Sequence, residues 1–187
     1  MKTLDKSHWI QQGFRILTQS GAAGLTIENL TRALKRTKGS FYHHFKNRDE
    51  FLRALLGQWE ESQALEIIRH SRKEKTFDTI NQALVTLSGQ AMAPEIEVAV
   101  RAWAHRDPLA REFQERIDAR RVAFLEKLFF LITEDQTQAA RFARIRYCFY
   151  IGTHQMIPPM DPLTYEEQLD SLTRMFKREI ASSTHSH

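Results

Sequence analysis

Apolar residues recur at helical spacing along nearly the whole chain, and no segment makes a credible strand. Near the start, Ile10, Phe14 and Leu17 fall at i, i+4 and i+7, with Trp9 and Ile16 widening the stripe until Ser20-Gly21 closes it. Only seven glycines and five prolines interrupt 187 residues rich in Ala, Leu, Glu, Arg and Gln, a bias toward strong helix formers. The chain therefore reads as all-α. With 42% hydrophobic and 27% charged residues it has the composition of a globular protein with a real core.

The same spacing orders the elements. Thr26 is a good N-cap for a short helix over 27–34, where Ile27, Leu30 and Leu34 share a face. A break precedes a second short helix over 37–44. Asn47 then caps a long helix whose Phe51, Leu55, Trp59, Ile67 and Ile68 are expected to point inward. Further helices are predicted over 75–92, stopped near Pro94, and over 95–105. Asp107-Pro108 opens another long one, with proline in the first turn where its missing N–H is harmless. Phe113, Ile117, Phe124, Leu128 and Leu131 lie on one side of it, Val122, Leu125, Phe129 and Ile132 on another, which places it at the centre of a bundle. Two more, over 136–155 and 164–181, flank the rigid turn IPPMDP, and the tail SSTHSH is expected to be disordered. That makes nine helices, with no internal repeat.

Charge singles out the beginning of the chain. The first 50 residues hold nine Lys or Arg against four acids, whereas the remaining 137 hold 18 against 19. A basic head on a near-neutral body suits a polyanionic partner. Within that head, two short helices joined by a tight turn describe a helix-turn-helix. Phe41 and Phe45, one turn apart in TKGSFYHHFK, would anchor the second short helix against Leu30, Leu34 and the first helix. Thr37, Lys38, Ser40, Tyr42 and His43 are left to face outward. Lys38 and Lys46 suit phosphates, and Lys38 also suits a guanine edge. The hydroxyls of Thr37, Ser40 and Tyr42 can donate to phosphate oxygens, Gly39 lets the backbone come close, and Thr26 offers its hydroxyl at a helix N-terminus. His44 fits either packing beside the two phenylalanines or a DNA contact.

At these residues the sequence LTIENLTRALKRTKGSFYHHFKNRDEFLRALL resembles the DNA-binding domain of the TetR family of bacterial transcriptional regulators. The likeness runs without gaps over about residues 8–57, with KGSFYHHFKNRDEFL its most specific part. VRAWAHRDPLAREFQERIDARR is more weakly similar to the effector-binding half of some members. One departure stands out: where the family's turn often has glycine followed by an apolar residue, this chain has Lys35 and Arg36. That basic pair adds phosphate-facing charge, while a left-handed Lys35 would cost on the order of 1 kcal/mol that glycine would not.

The resemblance implies a DNA-binding head over 3–63, with its recognition helix over about 37–44, and an effector-binding and dimerisation domain over 64–187. It implies a homodimer whose last two helices form a four-helix bundle with their symmetry mates. Phe142, Ile145, Phe149, Gly152 and Met156 on one helix, and Leu169, Leu172, Phe176 and Ile180 on the other, have the spacing for such a face; burial within one chain is the alternative. A small-molecule effector inside the larger domain would move the long helix from Asn47 and release a double-stranded operator. Trp103, His105, Phe124, Tyr147 and Cys148 are the candidates to line its pocket, or else to fill ordinary core. The expected function is that of a repressor, the alternative being a helical adaptor or ligand carrier that does not read DNA sequence.

Enzymatic chemistry finds little support. Cys148 is the single cysteine, so no internal disulfide forms and a reducing compartment is expected. It has no evident partner for nucleophilic chemistry. His105, Arg106 and Asp107 are adjacent at a helix end and do not converge. There is no Gly-rich phosphate loop, HExxH or CxxC, and two histidines in a floppy tail, His185 and His187, make no metal site. Neither a catalytic residue, a metal nor a cofactor is expected. The opening MKTLDKSHW has no apolar run for a signal peptide and no stretch is long enough for a membrane helix, so a cytoplasmic location is expected.

Overall fold

A computed structural model describes residues 5–71, 76–90 and 94–184. Among the described residues there are nine α-helices and no strand: α1 (Lys6–Ser20), α2 (Ile27–Leu34), α3 (Lys38–His44), α4 (Arg48–Ser71), α5 (Phe77–Gln90), α6 (Pro94–Ala104), α7 (Pro108–Thr133), α8 (Gln136–Gln155) and α9 (Pro162–Thr184). A short 3-10 turn, Ala22–Gly24, joins α1 to α2. The outer ends of the helix expected over 75–92, the side chains of Ile67 and Ile68, and His185 and His187 lie outside the described residues.

The chain divides into two compact units, one of residues 1–63 and 92–117, the other of residues 64–91 and 118–187. The unit containing the basic head thus also holds α6 and the first turns of α7. Its core joins Trp9 and Leu17 of α1 to Leu30, Phe41, Phe45, Phe51, Leu55 and Trp59, and to Val100, Trp103 and Ile117. Asp5 caps α1, accepting the backbone N–H groups of Ser7 and His8. Arg116 grips Glu60 of α4 with two guanidinium nitrogens at 3.1 and 2.9 Å and reaches Glu112 with a third, which holds the guanidinium firmly charged.

Gly13 sets how closely α1 lies on α4. A Cβ at this position would stand 2.4 Å from Leu55 Cδ1 and 2.7 Å from Phe51 Cζ. Gly13→Val should therefore destabilise the first unit by about 1–3 kcal/mol, the range for overpacking a core. Chemical denaturation followed by tryptophan fluorescence measures it, and an unchanged midpoint would mean the helices are not this close.

In the second unit the main core gathers Phe77, Leu125, Leu128, Phe129, Phe142, Tyr147 and Phe176. A smaller cluster holds Val85, Tyr165 and Leu169, with Phe149, Met160 and Leu172 packed on it. One expectation for α7 needs correcting. Leu131 was assigned to an inward face, yet it is 51% exposed, as is much of Phe130. Leu128, three residues back on that side, is buried, so the covered part of the side stops before the last residues of α7, where Leu131 lies.

Candidate nucleic-acid interface

The α2–α3 pair is built from capping chemistry. Thr26 Oγ1 accepts the Asn29 N–H at 3.1 Å and Thr37 Oγ1 accepts the Ser40 N–H at 3.2 Å, so each short helix has a side-chain N-cap. Asn29 Nδ2 donates to the Gly24 carbonyl at 2.9 Å, and Arg48 Nε donates to the Leu25 carbonyl at 2.7 Å, pinning the loop before α2 to the start of α4. Both caps use an oxygen lone pair, which leaves each threonine's O–H free to donate.

Between the two helices Lys35 is left-handed, at φ 52 and ψ 50. Its N–H bonds to the Arg32 carbonyl at 3.2 Å, and the Arg36 N–H reaches the Thr31 carbonyl at 2.9 Å. This pair of bonds is the Schellman termination, which favours glycine at the position Lys35 holds. Lys35→Gly should raise the stability of this unit by about 1 kcal/mol, since a Cβ is what the left-handed turn disfavours. A fall in the unfolding midpoint would contradict the turn geometry.

Across α3 the side chains separate cleanly. Phe41 and Phe45 are sealed in the core: Phe41 stands edge-on to Trp9 at 5.4 Å and Phe45 edge-on to Phe51 at 5.3 Å. Lys38, Gly39, Tyr42, His43 and Lys46 are exposed, as are Lys35 and Thr37, while Ser40, Arg36 and Thr26 are half-buried. Tyr42 is 53% exposed and rests edge-on against Phe41 at 5.6 Å, so its hydroxyl is carried on a supported ring. His44 is half-buried beside the Trp9 and Phe45 rings, at 6.3 and 6.5 Å.

Lys38 forms an ion pair with Glu28 across the two helices. The Lys38 ammonium, by its hydrogen bond, holds the Glu28 carboxyl below the usual carboxylate range, and Glu28 in turn raises Lys38 above the usual lysine value. Glu50 accepts the Lys46 N–H at 2.8 Å and pairs with Lys6 at 3.6 Å; that backbone bond, with Lys6 beside it, lowers its pKa. Asn47 Oδ1 caps α4 through the Glu50 N–H at 2.8 Å. Sequence reading missed the roles of Glu28, Glu50 and Lys6. Glu50 three residues after Asn47 was a usable capping signal; no periodicity rule links residues ten apart such as Glu28 and Lys38.

The other predicted site residues do not form one cluster. Trp103 is core of the first unit, and His105 is exposed at the end of α6. In the second unit Phe124 packs at the core's edge, while Tyr147 is buried with its hydroxyl donating to Asp118 at 2.7 Å; burial pushes that phenol's pKa up. Cys148 is exposed. Of the residues expected at a dimer face, Phe142, Leu169 and Phe176 are buried in the protomer itself, Phe142 stacked on Phe176 at 4.5 Å. Phe149 and Leu172 are half-buried, while Ile145 and Gly152 face solvent. A pocket of about 420 Å³ in the first unit is lined by other residues, among them Arg48, Arg53, Asp107 and Glu112. Among the described residues no group of His, Cys, Asp and Glu could hold a metal ion.

Residues 10–55 match the family described as bacterial regulatory proteins, tetR family. Over 50 residues the chain is 30% identical to an HTH-type transcriptional repressor, DhaR, of Mycobacterium sp. (strain GP1). That stretch is 27% of this chain and 25% of the relative, so the chain matches about a quarter of the curated protein's length. A TetR-family transcriptional regulator from Streptomyces coelicolor superposes with a TM-score of 0.77 at 14% identity, over 93% of this chain and 88% of that one. A transcriptional regulator from Rhodococcus sp. Rha1 superposes with a TM-score of 0.73 at 16% identity, over 94% and 97%. The likeness at these identities is one of fold, and it extends through both units.

Proposed function

We propose that this chain, whose residues 10–55 belong to the tetR family of bacterial regulatory proteins, is a ligand-responsive repressor that binds a pseudo-palindromic operator as a homodimer. The division of side chains across α3 supports this best: two phenylalanines hold the helix down, and a lysine, a glycine, a tyrosine and a histidine are left outside on a basic head. Two such helices in a symmetric dimer would enter successive major grooves about one helical turn, or slightly more, apart. Lys38 would exchange Glu28 for a phosphate or a guanine edge. Lys35, Arg36 and Lys46 add phosphate-facing charge around it, and Thr26, Thr37, Ser40 and Tyr42 supply hydroxyl donors. His43 completes the outward face.

In this reading the head is residues 3–63, and residues 64–187 sense and dimerise, with α6 and the start of α7 packed into the head's compact unit. An effector releases the operator only if it binds the two arrangements of the dimer unequally. The dimer face we assign is the outward side of α8 and α9, where Ile145 and Gly152 stand exposed on α8 and Met156 just beyond its end. Such a protein acts where the chromosome is, in the cytoplasm. Among the described residues no helix is long and apolar enough to cross a membrane.

Selecting bound fragments from a random duplex library at physiological salt tests the reading. Enrichment of an inverted repeat is expected; a folded, dimeric protein that enriches nothing would return the adaptor reading to the front. On the selected operator, Lys38→Ala and Tyr42→Phe should each weaken binding by roughly 1–3 kcal/mol. They should differ in salt dependence: losing a phosphate-binding lysine lowers the slope of log K against log salt by about 1, whereas the tyrosine hydroxyl leaves it unchanged. Wild-type affinity in both variants would reject α3 as the recognition helix.

A further inference from the structure

Arg146 of α8 is 5% exposed, inside the second unit. A guanidinium carries five N–H donors and stays charged, so burying it without a carboxylate is costly. Two other shielded arginines have acids: Arg101 bonds Glu97 at 2.9 Å, and Arg116 bonds Glu60. Among the described residues Arg146 makes one hydrogen bond, from Nη1 to the Asn81 Oδ1 of α5 at 3.3 Å. Asp170 of α9, exposed, attracts it but forms no ion pair with it, and the Tyr165 phenol also lies nearby. Burial accordingly pulls the Arg146 pKa below the ordinary arginine value, though that value is too high for the proton to leave near neutrality.

Asn81 sharpens the imbalance. It too is buried, and its carbonyl is taken by Arg146, which leaves its NH2 donors without an acceptor among the described residues. Two donor groups on buried residues therefore lie together, with a single neutral oxygen between them. Thr153 and Thr173, the other buried polar residues of α8 and α9, settle their hydroxyls on backbone carbonyls one turn back and supply nothing. Apolar surface is at hand on the same three helices. Val85 follows Asn81 by one turn, Phe149 follows Arg146 by three residues, and Phe149 stacks on Tyr165 at 5.8 Å.

We propose that Arg146 and Asn81 form an anion-recognition site in the second unit, which takes a small carboxylate carried on an apolar or aromatic body. The carboxylate would accept two N–H bonds from the guanidinium in the planar fork geometry and one from the Asn81 amide. Its body would lie against Phe149, Tyr165 and Val85. A carboxylate from a second copy of the chain is a poorer occupant, because the guanidinium already lies inside the protomer. The site names the chemical class of the effector in the function proposed above and rests on that reading only for its regulatory role.

The test uses the purified full chain with benzoate, phenylacetate and hexanoate, each beside its own primary amide at matched ionic strength, read by thermal shift and calorimetry. At least one carboxylate should bind and raise the melting temperature, and its amide should not. Arg146→Gln should weaken that binding about 30-fold or more. Arg146→Met, matched in length and uncharged, should melt above the wild type without ligand and lose the response, an outcome a purely structural arginine would reverse. If carboxylates and amides behave alike on the wild type, or both variants respond as it does, there is no anion site. Adding the binding carboxylate to the protein–operator complex separates the two proposals. Binding without release leaves the site standing and overturns ligand-responsive repression through it; release by no carboxylate, with none bound, overturns the site and leaves operator binding intact.

Discussion

Phe41→Ala is expected to remove about 3–5 kcal/mol of stability, the range for emptying a fully buried aromatic site, and with it the proposed operator binding. The ring is wholly buried where three helices meet: 5.4 Å from Trp9 of α1, 5.3 Å from Phe45, and 5.8 Å from Phe51 of α4. No single neighbour can move to fill the gap without leaving its own contacts, so most of the cavity should persist. Against a typical domain stability of about 5–15 kcal/mol, that loss partly unfolds the head at 37 °C. The protein carries its own probe. All three tryptophans, Trp9, Trp59 and Trp103, are buried in the first unit, so their fluorescence follows that unit while far-UV circular dichroism follows both. In urea the fluorescence transition should move to lower concentration and separate from the dichroism of the remaining helices. Tyr42→Ala, one residue on but solvent-facing, should keep the transition and lose only DNA affinity. A Phe41→Ala protein with an unmoved fluorescence midpoint would mean the ring does not hold α3 to the core.

These two neighbours also mark what one-dimensional patterning can tell. Spacing separated Phe41 and Phe45 from Lys38, Tyr42 and His43 because a short helix with one phenylalanine inside it and another at its C-cap has one way to lie down. Two helix starts were legible as well: Thr26 and Asn47 read as cap residues, and their side chains do accept N–H bonds there, whereas Thr37, read as the first residue of its helix, is its cap. Spacing gives the direction of an apolar face but not what covers it. Phe142, Leu169 and Phe176 had the pattern of a partner-facing stripe and are covered by their own chain instead. Close approach was equally invisible, since Gly13 reveals its purpose only beside Leu55 and Phe51. The association of α6 with the head, and the meeting of Asn81 with Arg146 across 65 positions, are products of tertiary packing that no local rule anticipates.

Gly152→Arg is expected to turn the proposed dimer into a monomer and to weaken the proposed operator binding roughly 10²–10⁴-fold, the avidity that linking two half-sites supplies. The face in question includes Ile145, 43% exposed, then Cys148 and Gly152 at helical spacing on α8, with exposed Met156 in extended conformation just past the helix end. Leu163 and Met175 of α9 are exposed as well, so apolar surface is available on both helices. A Cβ built on Gly152 meets nothing within 4 Å, so the protomer itself has room for a large side chain. Removing glycine from a helix interior also favours the helix by about 0.8–1 kcal/mol, which biases the variant toward a stable protomer rather than a damaged one. Where two copies of the face meet, however, the same substitution places bulk and charge on both sides of an apolar contact. The signature should be a sedimentation coefficient falling to the monomer's, a melting temperature that does not fall for want of protomer packing, and a salt slope near half the wild-type value, because one head neutralises about half the phosphates. A variant that stays dimeric with unchanged operator affinity would move the interface off this side of α8.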